Sequence, residues 1–275
     1  MNVGIIIRHC GGEELRKSFS DAAAQGFHHC QLVSWDIAYQ TAENACEVEA
    51  LTQEFGIEIT AFWCGWVGPR FWNFTEGPET LGIVPVAYRA ERVQNLIDGA
   101  AYARLLGVTD VVTHMGFIPE NMSDPMWPGV VAAVKAIAVN LKRNGQNLLF
   151  ETGQETPVVL MRLFEAVGTG TLYINLDPAN LILYGKGNPV DALDVFGDLV
   201  RGVHAKDGFY PTNGHDLGRE VKVGDGKVNF PLFLKGLKAH GYDGSLTIER
   251  EITGEQQIKD ILETQKYLQT LIEEL

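Results

Sequence analysis

With 275 residues and a formal net charge of −13, the chain is long enough for one large core and carries the wrong sign for a phosphate backbone. No Lys/Arg-rich stretch offsets that charge, and no apolar run approaches the roughly 18 residues that span a bilayer. Nucleic acid and membrane are therefore not expected partners. The opening residues 1–8 lack a signal-peptide layout, which points to a soluble, cytoplasmic protein. Cys10, Cys30, Cys46 and Cys64 form no C-x-x-C pair, so reduced structural thiols are expected rather than a zinc knuckle or a disulfide framework.

In chain order, short β-rich apolar runs alternate with longer helical patterns. Eight strands are predicted: Val3–Ile7, His29–Val33, Glu58–Trp63, Asp110–His114, Asn147–Glu151, Tyr173–Asp177, Gly202–Lys206 and Ser245–Glu249. Several intervening helices run into a glycine just before the next strand, at Gly26, Gly56, Gly107 and Gly241, where a left-handed cap is accessible. Gly145 and Gly170 punctuate two more connections, and residues 254–275 read as a closing amphipathic helix. Alternation of this kind predicts a parallel sheet, and eight units predict an α/β fold of the (β/α)8 TIM-barrel type, one domain over residues 1–275. Two connections after strands are long, residues 64–86 and 207–229. Barrel enzymes build their sites at strand C-termini, so both are candidate walls or lids.

The last four strands each end in a residue able to bind a metal: Glu151, Asp177, His204 and Glu249. Side chains alternate across a strand. If Phe150, Leu176, Val203 and Ile248 pack outward against helices, their four neighbours converge in the barrel mouth. Three carboxylates meeting at low dielectric repel one another, and a divalent cation supplies the missing charge. Three oxygens and one imidazole form a fairly hard set, favouring Mn²⁺, with Mg²⁺, Co²⁺ or Zn²⁺ as alternatives. Each residue alone has a bland reading. Asp177 before Pro178 is an ordinary helix N-cap. The shared phase of all four favours the metal.

Other candidates follow the same geometry. His114 closes its strand facing inward, either hydrogen-bonding substrate or Glu151 or serving as a structural histidine. Lys206, in phase with His204, can hold a phosphate or sugar oxygen, or pair with Glu249 or Asp177. Trp63 and Trp66 open a loop rich in aromatics through Phe74, suited either to stacking on a sugar face or to a subunit interface. Arg8 and His9 close the first strand at the same rim, the first as a phosphate ligand and the second as a substrate contact. The Gly224-Asp-Gly226 segment is expected to be a structural turn, because no helix start follows it directly.

The segments Glu151–Glu155, Asn175–Asn180, His204–Asp207, Gly224–Phe230 and Thr247–Glu251 resemble those of the xylose-isomerase-like superfamily of sugar-phosphate isomerases and epimerases, and the likeness spans nearly the whole chain. Within it, the metal-dependent ketose 3-epimerases use the same Glu, Asp, His, Glu order. The resemblance implies that Glu151, Asp177, His204 and Glu249 hold one divalent metal and that Glu151 and Glu249 also act as the acid/base pair. It further implies a small-molecule sugar or sugar phosphate as substrate, handled through an enediolate, and a homodimer or homotetramer. Asn180 stands where those epimerases usually carry a substrate-binding histidine, and Tyr210 where they carry an arginine, so a different hydroxyl pattern is expected. The related apurinic-site endonucleases need extra zinc ligands that are missing at Asn180 and at Arg219-Glu220. Two other functions share the same site: a lyase that expels a β-hydroxyl from a keto-polyol, and a sugar-binding barrel that needs a partner.

Overall fold

The computed structural model describes all 275 residues. Eight parallel strands close into a barrel: β1 (Asn2–Arg8), β2 (His29–Ser34), β3 (Glu58–Cys64), β4 (Asp110–Thr113), β5 (Asn147–Glu151), β6 (Leu172–Leu176), β7 (Val200–Ala205) and β10 (Ser245–Ile248). Closure comes where β1 pairs with β10 through Ile5 and Ile248 and with β2 through Arg8 and Val33. The expected (β/α)8 fold is thus the observed one, and every expected strand is present within three residues at each end. A separate antiparallel hairpin, β8 (Asp207–Phe209) with β9 (Arg219–Val221), occupies the long connection after β7.

Two apolar layers account for the closure. Phe150, Leu176, Val203 and Ile248 all lie in the large cluster between the barrel wall and the surrounding helices. A small second cluster, Ala61, Trp63, Val112 and Leu149, fills the barrel interior. The alternation of a pleated strand separates the two sets, which leaves the C-terminal inward positions free for polar side chains. The glycines at 26, 56, 107 and 241 all adopt positive φ, so the helices stop where the sequence places them. No helix is long and apolar enough to cross a membrane.

Both long connections are pinned from below. Arg92, fully buried on the helix Val86–Leu105, donates to the carbonyl oxygens of Val67, Pro69, Thr80 and Gly82 at 2.6–3.0 Å. Its guanidinium also lies 4.1 Å from the ring of Trp66. In the second connection, Asp207 accepts the backbone N–H groups of Gly208, Gly224, Gly226 and Val228 at 2.8–3.0 Å. The expected glycine turn is therefore closed on a carboxylate, and a Cβ at residue 226 would stand 2.1 Å from Asp207 Oδ1.

Candidate metal centre and its cavity

At the C-terminal mouth, ligand atoms of Glu151, Asp177, His204 and Glu249 lie within 4.8 Å of one another. Glu151 is the last residue of β5. Asp177 and Glu249 follow the last paired residues of β6 and β10, and His204 belongs to β7. Asp177 is placed for both of its expected roles at once. Its Oδ1 accepts the Asn180 N–H at 2.9 Å and so caps the helix Pro178–Leu183, while Oδ2 faces the cluster, buried and without a hydrogen bond.

Hydrogen bonding fixes the histidine for the same purpose. Gln31 Nε2 donates to Asn175 Oδ1 at 2.8 Å, which turns the Gln31 oxygen toward His204 Nε2, also at 2.8 Å. This network assigns the proton to Nε2. The Nδ1 electron pair then faces Glu151, Glu249 and Asp177 at 3.3, 3.5 and 3.8 Å, and Nδ1 makes no aligned hydrogen bond. A buried electron pair aimed at three carboxylates is unfavourable until a cation enters, so the donor set fits a divalent ion.

Charges around the cluster keep its carboxylates poised. Burial raises the pKa of Glu151, but His114 and His204, when their rings are protonated, outweigh it and hold the group well below the usual carboxylate range. Burial opposes ionisation of Glu249 too, yet Lys206 and, when its ring is protonated, His204 bring it down to about 2. Asp177 goes the other way, because burial exceeds the pull of Lys206. Lys206 is itself buried and reaches Glu251 at 2.8 Å, Glu249 at 3.1 Å and Asp177 at 3.7 Å. Glu151 is further held by the Trp63 indole N–H, by Asn180 Nδ2 at 3.3 Å and by His114 Nε2 at 3.4 Å.

Above the cluster opens a cavity of about 320 Å³, at the small end of ligand sites. Glu151, Glu249, Lys206, His114, Asn180, Trp63 and Arg8 from the sequence reading all line it. His9 and Trp66 do not, and both expectations need correcting. Ile6 and Arg8 face the cavity, so the pleat turns His9 outward, where it meets Ser34 Oγ at 3.1 Å and the Tyr102 hydroxyl at 3.0 Å. Trp66 is fully buried behind the wall, edge-on to Trp35 and over Arg92. Tyr210 is half exposed, its hydroxyl donating to Gly187 O.

Trp35, Arg70 and Glu251 are among the lining residues that the sequence did not single out, whereas Trp72 belongs to the aromatic loop expected to stack on a sugar or form an interface. Trp35 and Glu251 had a usable signal, each lying two residues beyond an inward-facing residue, Val33 and Glu249 respectively. Arg70 and Trp72 sit in an irregular loop, where no periodicity points a side chain anywhere. Glu155 also went unnoticed. It is fully buried close to His114, and burial raises its pKa to about 7.

Comparisons with known proteins agree with this architecture. The sequence matches the family described as xylose isomerase-like TIM barrel over residues 19–271. The crystal structure of a xylose isomerase domain protein from Planctomyces limnophilus is 32% identical, covering 98% of this chain and 96% of that one, with a TM-score of 0.91. A D-tagatose 3-epimerase-like protein shares the fold at 22% identity and a TM-score of 0.76, covering 99% and 97% of the two chains. An uncharacterized protein of Methanocaldococcus jannaschii is 24% identical, over 95% of this chain and 86% of its own length.

Proposed function

The chain belongs to the xylose isomerase-like TIM barrel family, and from that premise we propose that it is a divalent-metal-dependent isomerase or epimerase of a small sugar or sugar phosphate. The observation that carries the proposal is the cluster of Glu151, Asp177, His204 and Glu249, with unpaired buried electron pairs on Asp177 Oδ2 and His204 Nδ1, at the floor of a cavity of monosaccharide size. These four residues would hold the ion. Mn²⁺ is favoured by the donor set, with Mg²⁺, Co²⁺ and Zn²⁺ as alternatives. When bound, it would neutralise the carboxylates and polarise a substrate carbonyl, acidifying the neighbouring C–H.

The chain's own groups supply the proton transfers. Lys206 keeps Glu249 ionised at neutral pH, as a base must be, and Glu249 keeps partial access to the cavity. Glu151 provides the second carboxylate, oriented by Trp63, Asn180 and His114. Return of the proton to the same carbon from the opposite face inverts it, and return to the neighbouring carbon exchanges aldose and ketose. Trp63, Trp35 and Trp72 offer faces for the apolar side of a sugar ring and exclude water from the enediolate. Asn180, His114 and Lys206 are placed to bond its oxygens.

Solvent-deuterium incorporation into a panel of ketoses and ketose phosphates with added Mn²⁺, followed by NMR, tests the reading. Exchange next to the carbonyl is expected in the wild type and should fall by about 10²–10⁴-fold in Glu249→Gln. Loss of one water from the substrate would instead identify a lyase. Metal and sugar binding with no exchange would identify a binding barrel or a partner-dependent subunit.

A further inference from the structure

The cavity is polarised, and its acidic groups are all accounted for. Glu151, Asp177 and Glu249 form the cluster, and Glu251 is paired with Lys206 at 2.8 Å. On the wall formed by the end of β1 and the loop after β3 stand two further charges, Arg8 and Arg70. Neither side chain makes an ion pair or a hydrogen bond, although acidic residues outnumber basic ones by 35 to 22 in the chain. Arg16, Arg201 and Arg250 are engaged with carboxylates and Arg89 and Arg92 with carbonyl oxygens, and the likewise unpaired Arg104, Arg143 and Arg219 lie outside this cavity.

Arg70 is nevertheless positioned. Its guanidinium lies 4.4 Å from the Trp35 ring, which leaves the N–H edge free. Trp35 in turn lies 4.7 Å from Trp63, whose indole N–H bonds Glu151. A contiguous aromatic wall thus runs from the metal cluster to Arg70, and the loop carrying Arg70 is pinned by Arg92 through the oxygens of Val67, Pro69, Thr80 and Gly82. Arg8 reaches the same cavity from β1, in phase with Ile6.

We propose that the substrate carries a terminal oxyanion, a phosphate monoester or a carboxylate, held by Arg8 and Arg70 at the end remote from the reacting carbon. This inference rests on the reading of the cavity as a sugar site and narrows it to acidic sugars. A planar guanidinium fork presents paired N–H donors to either group, and two forks on one small cavity match a single anion at its rim. A neutral sugar would leave both guanidinia facing water and gain nothing from them.

Titration of the wild-type chain with inorganic phosphate and with D-glucuronate, read by tryptophan fluorescence at constant ionic strength, tests the proposal directly because Trp35, Trp63 and Trp72 line the cavity. Saturable binding of at least one anion is expected, weakened by about tenfold or more in Arg8→Gln and in Arg70→Gln. Arg70→Lys should fall between, keeping the charge and losing the fork. Mn²⁺ affinity should be unchanged in all three variants, since both arginines are exposed and make no contact with the cluster. A response to phosphate alone identifies a sugar phosphate, and a response to glucuronate alone a sugar acid. No saturable response to either anion, or equal affinities in wild type and variants, would overturn the inference. Deuterium exchange confined to neutral ketoses would also overturn it while leaving the isomerase reading intact, whereas anion binding without any exchange would spare it and remove that reading.

Discussion

His9 and Asp177 show how far a single residue can be read before its surroundings are known. Histidine at a strand end beside an arginine looks like a substrate contact, but consecutive strand residues face opposite sides, and Arg8 takes the inward one. His9 is then buried against Ser34 and Tyr102, where burial lowers its pKa to about 4 despite the nearby Asp36. In the unfolded chain the same ring protonates near pH 6.5. The unfolded state therefore binds the extra proton first as pH falls, and the stability present above pH 6.5 is lost progressively toward pH 4. Urea titrations at a series of pH values should show a loss of up to about 3 kcal/mol over that window from this group, absent from the slope of His9→Gln. At Asp177 the cap and the ligand readings do not compete, since a carboxylate has two oxygens: one caps the helix and the other faces the cluster free of hydrogen bonds.

At the scale of elements, the phase of each strand was legible because burial imposes it. Phe150, Leu176, Val203 and Ile248 are apolar because they meet helices, and that alone orients Glu151, Asp177, His204 and Glu249 inward. Loops carry no such signal. The cavity wall formed by residues 67–82 depends instead on Arg92, one of three arginines on a long helix with nothing local to distinguish it. Its fork satisfies four carbonyl oxygens that would otherwise be left without donors, and burial brings its own pKa down to about 10 without discharging it at neutral pH. Arg92→Lys should destabilise the fold by about 3 kcal/mol through unsatisfied buried oxygens. Limited proteolysis should then cut first between residues 67 and 82, and cleavage elsewhere would argue that the loop is held by its own packing.

For the whole molecule, barrel closure converts separate strand ends into one site. It seats β1 against β10, so that Arg8 shares a cavity with Glu249. It also lets Gln31 of β2 reach across the barrel to His204 of β7 and Asn175 of β6. A ligand that joins four strands binds only the closed barrel, so it should stabilise the entire fold by mass action. Mn²⁺ at about 100 times its Kd adds about 2.7 kcal/mol, a Tm rise of roughly 5 °C for a chain of this size. Thermal unfolding with metal and with chelator checks this. Asp177→Asn should abolish the rise while preserving the helix cap, since the asparagine oxygen can still accept the Asn180 N–H. A rise that survives in that variant would place the ion elsewhere.

The sequence by itself determined the barrel, because the alternation of β and helical periods and the glycine stops are local consequences of burial and backbone freedom. It also determined which four residues could meet, because strand phase is a parity rule that needs no third dimension. Only the tertiary structure decided what surrounds them. Arg70 and Trp72 are brought to the cavity by a loop path set through long-range bonds to Arg92 and by ring packing, neither of which leaves a periodic trace. The same holds for the choice between Arg8 and His9. Parity states that one of the pair faces inward, and only the closed barrel settles which.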